Sequence, residues 1–118
     1  MTNLDIDVER LLPLPPAVFH ILIALGEGEK HGYAVMQEVA ERTQEKVRMS
    51  PGTLYGSIRK MLDEGLIEES FRPQTTGDER RRYYRITKFG RAVAAGEADR
   101  LASLLRHARL NGLVPRRS

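Results

Sequence analysis

The sequence predicts a mainly α-helical domain with a small β-hairpin wing, and three features predict it. Ser50-Pro51 opens a segment in which Leu54, Ile58, Met61 and Leu62 recur at helical spacing, the mark of a helix with one buried face. Gly65 closes that segment, and two short alternating stretches follow, from Leu66 to Phe71 and from Arg81 to Ile86, which read as strands. Between them the turn-rich run Pro73-Gln74-Thr75-Thr76-Gly77-Asp78 is too long for a tight hairpin and makes the wing. Two helices before this unit and a long one after it complete a winged helix-turn-helix with a C-terminal dimerisation helix.

The composition sets bounds on that reading. A chain of 118 residues with 41% hydrophobic and 30% charged residues suits one globular domain with one core. It has no Cys, which excludes a disulfide framework, a Cys-based zinc site and a thiol nucleophile. The acidic start, Met1-Thr2-Asn3-Leu4-Asp5, lacks a secretory layout. The longest apolar run, Ala17 to Leu25, is broken by His20 and is too short to span a bilayer. A cytoplasmic protein is expected. Residues 1–49 carry five Lys/Arg against eight Asp/Glu, whereas residues 72–91 carry seven against two. Basic charge gathered in one segment suits a polyanion partner better than a net charge of +3 does.

Each element has its own signal. Residues 1–13 lack helical periodicity, although Leu4, Ile6 and Val8 alternate, and are expected to form an arm against the domain or a partner. Pro15-Pro16 starts the first helix. Val18, Phe19, Ile21, Leu22, Ile23 and Leu25 make it apolar nearly all round, and Gly26 and Gly28 end it. The second helix is expected from about Gly32 to Arg42, with Tyr33, Met36, Val39 and Ala40 inward. Residues 44–49 form a polar turn. Ser50 then caps the third helix, with Pro51 in its first position. Thr87 caps a last, Ala-rich helix that runs to about Arg109. The expected organisation is an arm at 1–14, a winged-helix domain at 15–87, a dimerisation helix at 88–110 and a flexible tail at 111–118.

The third helix carries the chemistry. Opposite its buried stripe lie Gly52, Thr53, Gly56 and Lys60, with Ser57 and Arg59 on the flanks. Small side chains and the positive end of the helix dipole lead, and Asp63 and Glu64 trail. Such a helix fits a DNA groove. Thr53, Ser57 and Lys60 are candidates for the groove face, the capping Ser50 is counted with the DNA-binding residues, and Arg59 either binds phosphate or pairs with Asp63. Gly52 and Gly56 weaken a free helix, so something approaches closely there, either a sugar-phosphate backbone or another helix. Tyr55 is expected as a core ring whose hydroxyl reaches a phosphate. Of Arg80, Arg81 and Arg82, alternating along a strand, at least one is expected on phosphate or in the minor groove. His31 and Tyr33 open the second helix, whose first N–H groups suit a phosphate; Tyr33 as a core residue stands equally beside that role. His20, His31 and His107 lack metal-ligand spacing. No cofactor, metal or catalytic constellation is expected.

Three blocks in order are His31-Gly32-Tyr33-Ala34-Val35-Met36, then Pro51-Gly52-Thr53-Leu54-Tyr55 through Gly65-Leu66-Ile67-Glu68, then Arg82-Tyr83-Tyr84-Arg85-Ile86-Thr87 with Gly90. Together they resemble the PadR family of bacterial transcriptional regulators, over roughly residues 15–91. The resemblance implies a winged-helix DNA-binding domain, a C-terminal dimerisation helix and, usually, repression of nearby genes. The single C-terminal helix places the chain with the short-tailed branch. There is no Trp, and Phe89 is the last helix's one aromatic residue, which speaks against a flat aromatic effector of the kind some members hold.

The last helix would run for roughly 33 Å, and Phe89, Val93, Leu101, Leu104 and Leu105 give it an apolar side. A partner chain in two-fold symmetry is the natural cover, so the expected partners are double-stranded DNA and a second copy. A small-molecule effector bound between the last helices, or between them and the first helix, would change the spacing of the recognition helices. The main rival is a protein-interaction winged helix whose basic wing is merely solvated. An enzyme ranks well behind both.

Overall fold

The computed structural model describes residues 3–73 and 80–115, and of residues 71–73, 80 and 81 the backbone alone. The order is α1 (Asn3–Arg10), α2 (Pro16–Leu25), β1 (Lys30–His31), α3 (Gly32–Arg42), α4 (Pro51–Asp63), β2 (Ile67–Pro73), β3 (Arg80–Ile86) and α5 (Lys88–Leu110).

α2 is the centre of the core. Its Val18, Ile21, Leu22, Ala24 and Leu25 are buried, and they meet Val35 and Val39 of α3, Leu54, Ile58 and Met61 of α4, and Val93 of α5. Each large aliphatic side chain enclosed this way stabilises the fold by about 1.5–3 kcal/mol relative to exposure. The inward residues of α3 are Gly32, Val35 and Val39, with Met36 half-buried. Tyr33 was expected among them and is instead 59% exposed, because the buried stripe is set one residue to the side.

The helix ends follow the sequence closely. Ser50 Oγ accepts from the Thr53 N–H at 3.1 Å, and Pro51 stands in the first turn of α4. At the other end Gly65 takes φ of +75°, and the Gly65 and Leu66 N–H groups donate to the Leu62 and Met61 carbonyls, the glycine stop that needs no Cβ. Thr87 ties the next helix to this turn. Its hydroxyl donates to the Gly65 carbonyl at 2.6 Å and accepts from the Gly90 N–H at 2.9 Å.

The sheet has three antiparallel strands in the order β1-β3-β2. Ile67 pairs with Ile86, and the ladder runs out to Pro73 opposite Arg80. The two-residue β1 sets Lys30 against Tyr84 and His31 against Tyr83. This third strand did not show in the sequence. Of the wing loop expected at 73–78, Pro73 ends β2 and residues 74–78 lie outside the described residues, as does Glu79.

The N-terminal segment departs from expectation. Residues 3–10 are a helix, although the segment lacks helical periodicity, and only Val8 of it is buried. α1 lies across α5 at Gly96, where an added Cβ would stand 2.9 Å from Val8 Cγ1 and 3.1 Å from Leu12 Cδ1. Beside the crossing, the buried Glu97 carboxylate accepts the Leu14 N–H at 3.2 Å and two bonds from Arg100 at 2.8 Å each. This clamp joins the α1–α2 connection to α5 and is a feature that pattern reading did not find.

Candidate nucleic-acid interface

α4 presents the face that its spacing predicts. Gly52, Thr53, Gly56, Arg59 and Lys60 are exposed, and Ser57 is half-buried. The Ser50 hydroxyl also donates to Thr53 Oγ1 at 3.1 Å, so the two hydroxyls at the leading end are held as a pair. A Cβ at Gly56 would meet nothing within 4 Å, and one at Gly52 only Ser50 Oγ at 3.9 Å. No other helix among the described residues comes within 4 Å of a Cβ at either glycine. Neither Arg59 nor Lys60 has an ion-pair partner among the described residues, and the expected Arg59–Asp63 alternative is not formed.

Beside α4, three elements converge on a cleft of about 370 Å³ lined by His31, Gly32, Tyr33, Tyr55, Arg82 and Tyr84. Tyr55 is 48% exposed, not the core ring expected of it, because it stands one position beyond the buried Leu54. Its hydroxyl lies over Gly32, where an added Cβ would be 2.7 Å from the oxygen. The His-Gly-Tyr block therefore has a packing reason: only a bare Cα leaves room for the Tyr55 ring. His31 caps α3, with Nδ1 accepting from the Ala34 N–H at 3.2 Å, so a neutral ring carries its proton on Nε2. That ring meets Tyr83 edge-on at 5.6 Å. Because His31 takes up part of the α3 N-terminus, fewer N–H groups there are open to an anion than the sequence suggested.

Tyr84 forms the cleft floor at 2% exposure. Burial, then the charge of Glu69 and the nearby Tyr55, push its hydroxyl above the usual tyrosine range, and a hydrogen bond from Arg82 opposes them. Arg82 is itself exposed. Arg85, on the other side of the strand, pairs with Glu68 at 2.7 Å across the ladder. Arg80 and Arg81 stand in β3 opposite Pro73 and Arg72; their side chains lie outside the described residues, as do Asp78 and Glu79.

Of the residues expected at DNA, Ser50, Thr53, Tyr55, Ser57, Arg59 and Lys60 stand on α4 or at its cap, and Tyr33, Arg82 and His31 line the cleft beside it. The sequence had not joined Gly32 to Tyr55, nor Arg82 to Tyr84. Spacing along one element cannot reveal contacts between elements.

Residues 21–96 match the family described as transcriptional regulator PadR-like. The chain belongs to that family. Membership sets it among transcriptional regulators rather than enzymes. It is 33% identical over 87 residues to the transcriptional regulator Rv3488 of Mycobacterium tuberculosis, covering 74% of this chain and 77% of that protein. Sequence relatives are matched over 65% to 77% of their own length. A transcriptional regulator from Clostridium thermocellum superposes with a TM-score of 0.69 at 26% identity, over 83% of this chain and 92% of that one. Bacillus subtilis PadR, solved in complex with operator DNA, superposes with a TM-score of 0.62 at 25% identity, over 75% of this chain and 48% of that one. α1 precedes the stretch that the family match covers.

The last helix divides in two. Phe89 is half-buried and Val93 fully enclosed in the chain's own core, so Val93 offers no surface to a partner, contrary to its expected pairing role. Beyond the buried Glu97, no residue of α5 is buried. Leu101, Leu104 and Leu105 are 40%, 52% and 45% exposed. Of the expected pairing residues, these three are open.

Proposed function

We propose that this chain is a sequence-specific repressor that binds a palindromic operator as a homodimer in the cytoplasm. The observation that carries the reading is the outer face of α4. Its leading half is small and uncharged, no other helix among the described residues comes within 4 Å of a Cβ at either of its two glycines, and Arg59 and Lys60 on it have no ion-pair partner among the described residues. Small side chains let a helix sit deep in the major groove, where base edges are distinct. Tyr33, Tyr55 and Arg82 line the cleft beside it and carry donors that phosphates, which fix register, can accept from. Family membership and the operator complex of the B. subtilis relative support the same reading.

The exposed leucines of α5 support self-association. In a two-fold dimer the two α4 helices would lie about one DNA turn apart, ~34–36 Å, or a multiple of it, which is why the operator should be palindromic. No helix among the described residues is long and apolar enough to cross a membrane, which fits a site of action on DNA in the cytoplasm. A small molecule wedged between the last helices would alter the spacing of the α4 pair and release the DNA.

The test is binding to the DNA upstream of the chain's own gene and to a scrambled duplex, at two salt concentrations, with the oligomeric state recorded. Tight, selective, steeply salt-dependent binding by a dimer is the expected result. Equal weak binding to both duplexes, followed by failure of genome-wide selection to enrich any sequence, would overturn it. Effector control is tested separately: it fails if operator affinity responds to nothing in a broad ligand screen.

A further inference from the structure

The hydrogen bonds at the leading end of α4 form a directed chain. The Thr53 N–H donates to Ser50 Oγ at 3.1 Å, and the Ser50 hydroxyl donates to Thr53 Oγ1 at 3.1 Å. Hydrogen bonds in series polarise one another: an oxygen that accepts becomes a stronger donor and a poorer acceptor for a second proton. That favours Ser50 donating to Thr53 over the reverse. Thr53 Oγ1, having accepted, is polarised in turn. Its own O–H is taken by no acceptor among the described residues and is the open end of the chain. A helix cap alone needs only the Ser50 oxygen, which Asp or Asn would supply equally well. The second bond uses the serine proton.

Thr53 is exposed. Gly52 next to it and Gly56 one turn on leave the backbone bare alongside: an added Cβ would meet only Ser50 Oγ at 3.9 Å at the first and nothing within 4 Å at the second. A surface laid against this face can therefore reach the hydroxyl. In the major groove guanine O6 and N7, adenine N7 and thymine O4 accept, whereas cytosine shows only its amino donor. Thr53 carries a methyl on the same carbon as its hydroxyl. Thymine alone sets an acceptor beside a methyl, O4 next to the C5 methyl.

We propose that Thr53 reads a thymine in each half-site, donating its hydroxyl to O4 and laying its methyl on the C5 methyl, and that Ser50 is the positioning residue that fixes the direction of this hydrogen bond. This rests on the reading of α4 as the groove helix and names what one of its side chains recognises. Ser50 thus has two tasks that separate chemically. Its oxygen caps the helix, and its proton sets Thr53 as a donor, so that cytosine, a donor at the same place, is refused.

The test is selection by the full chain from a randomised duplex library, for the parent and for Thr53→Val, which should melt alike because the side chain is exposed. The two selected sites should differ at one base pair per half-site, thymine in the parent and unrestricted in the variant. Titrations with that thymine replaced then resolve the contact. Uracil, which lacks the methyl, should cost the parent about two- to fourfold. 5-Methylcytosine keeps the methyl but exchanges O4 for an amino donor, and should cost about tenfold, whereas Thr53→Val should bind the thymine and 5-methylcytosine duplexes alike. Ser50→Asp keeps the cap, but a carboxylate only accepts, so the Thr53 O–H turns toward it and lone pairs face the DNA. The preference for thymine over 5-methylcytosine should then fall at least about fivefold, in a ratio from which the uniform repulsion of the new charge cancels. A parent that enriches no sequence overturns sequence-specific DNA recognition itself, and this contact with it. A selected site unchanged in Thr53→Val, or binding weakened evenly across all duplexes as for a hydroxyl on phosphate, overturns the base contact and leaves DNA recognition standing. Relaxed selection at a base other than thymine overturns the assignment of the base. An unchanged preference in Ser50→Asp overturns Ser50 as the positioning residue.

Discussion

The Tyr55 hydroxyl stands where a Cβ on Gly32 would lie 2.7 Å from it, so the first residue of α3 sets the position of a ring on α4. Gly32→Ala must push that ring toward solvent. The ring is half-exposed and can give way, so melting should shift little. DNA affinity should fall about fivefold, the equivalent of ~1 kcal/mol, because Tyr55 flanks the groove face. Combining Gly32→Ala with Tyr55→Phe removes the hydroxyl that clashes, and the two losses should then be less than additive. Strict additivity in a binding titration would show that the contact does not couple the two helices.

Gly56 offers a sharper separation of fold from function. A Cβ there meets nothing within 4 Å, and the helix is exposed at that point. Gly56→Ala should therefore stabilise the chain by up to about 1 kcal/mol, the helix preference of Ala over Gly. If the bare Cα exists for close approach of DNA, the same substitution weakens operator binding. A variant that melts higher and binds equally well would leave Gly56 without a role at the interface.

Arginines of the wing and of α4 should differ in their salt signatures. Arg59 has no ion pair among the described residues, whereas Arg85 is paired with Glu68 across the strands. Arg59→Ala should reduce the slope of log affinity against log salt by about 0.9, the value for one lost phosphate contact on duplex DNA. Arg85→Ala should leave the slope unchanged and cost at most about 1 kcal/mol of stability, as exposed pairs do. Equal slopes for the Arg59 variant and the parent would remove Arg59 from the DNA surface.

Gly90 answers to packing alone. A Cβ at this position would collide with the backbone carbonyl of Leu66 and press on Ile86, and a main-chain atom pinned by the Thr87 N–H cannot swing aside. Gly90→Ala should cost about 1–3 kcal/mol or more, read as a lower urea midpoint. Unaltered stability would mean that the α4–β2 turn yields more readily than its hydrogen bonds imply.

Local chemistry was what the sequence made legible. Ser50, Pro51, Gly65 and Thr87 stop and start helices through their own side chains or lack of one, and each stands where its chemistry predicts. The stripe Leu54, Ile58 and Met61 was equally plain because α4 buries one narrow face. α1 was hidden for the opposite reason: a helix burying a single residue leaves no period of 3.6 to read, and the alternation of Leu4, Ile6 and Val8 suggested an extended arm. β1 spans two residues, and its pairing is dictated by β3. Tyr33 and Tyr55 looked inward because an aromatic residue next to a buried stripe usually is. The cleft they frame depends on how α3, α4 and β3 meet, which no single segment encodes.

The Glu97 clamp gives the fold a dependence on acid. Its carboxylate is 3% exposed. The hydrogen bond from Arg100 holds its pKa below the usual carboxylate range, with help from the Leu14 N–H, and burial works in the other direction. A carboxylate depressed in the folded state contributes stability that is fully present above its unfolded value and is lost as pH falls through the folded one. Glu97→Gln keeps an acceptor for Leu14 but discards the charge. The parent should therefore be the more stable at pH 7, and the gap between the two urea midpoints should close as pH is lowered from about 5 to about 3. Because the clamp fastens the α1–α2 connection to α5, the variant should also expose the Leu14 amide to faster hydrogen exchange at neutral pH. A gap that stays constant across the acid range would mean that the carboxylate's charge plays no part, and that its hydrogen bonds act as any neutral acceptor's would.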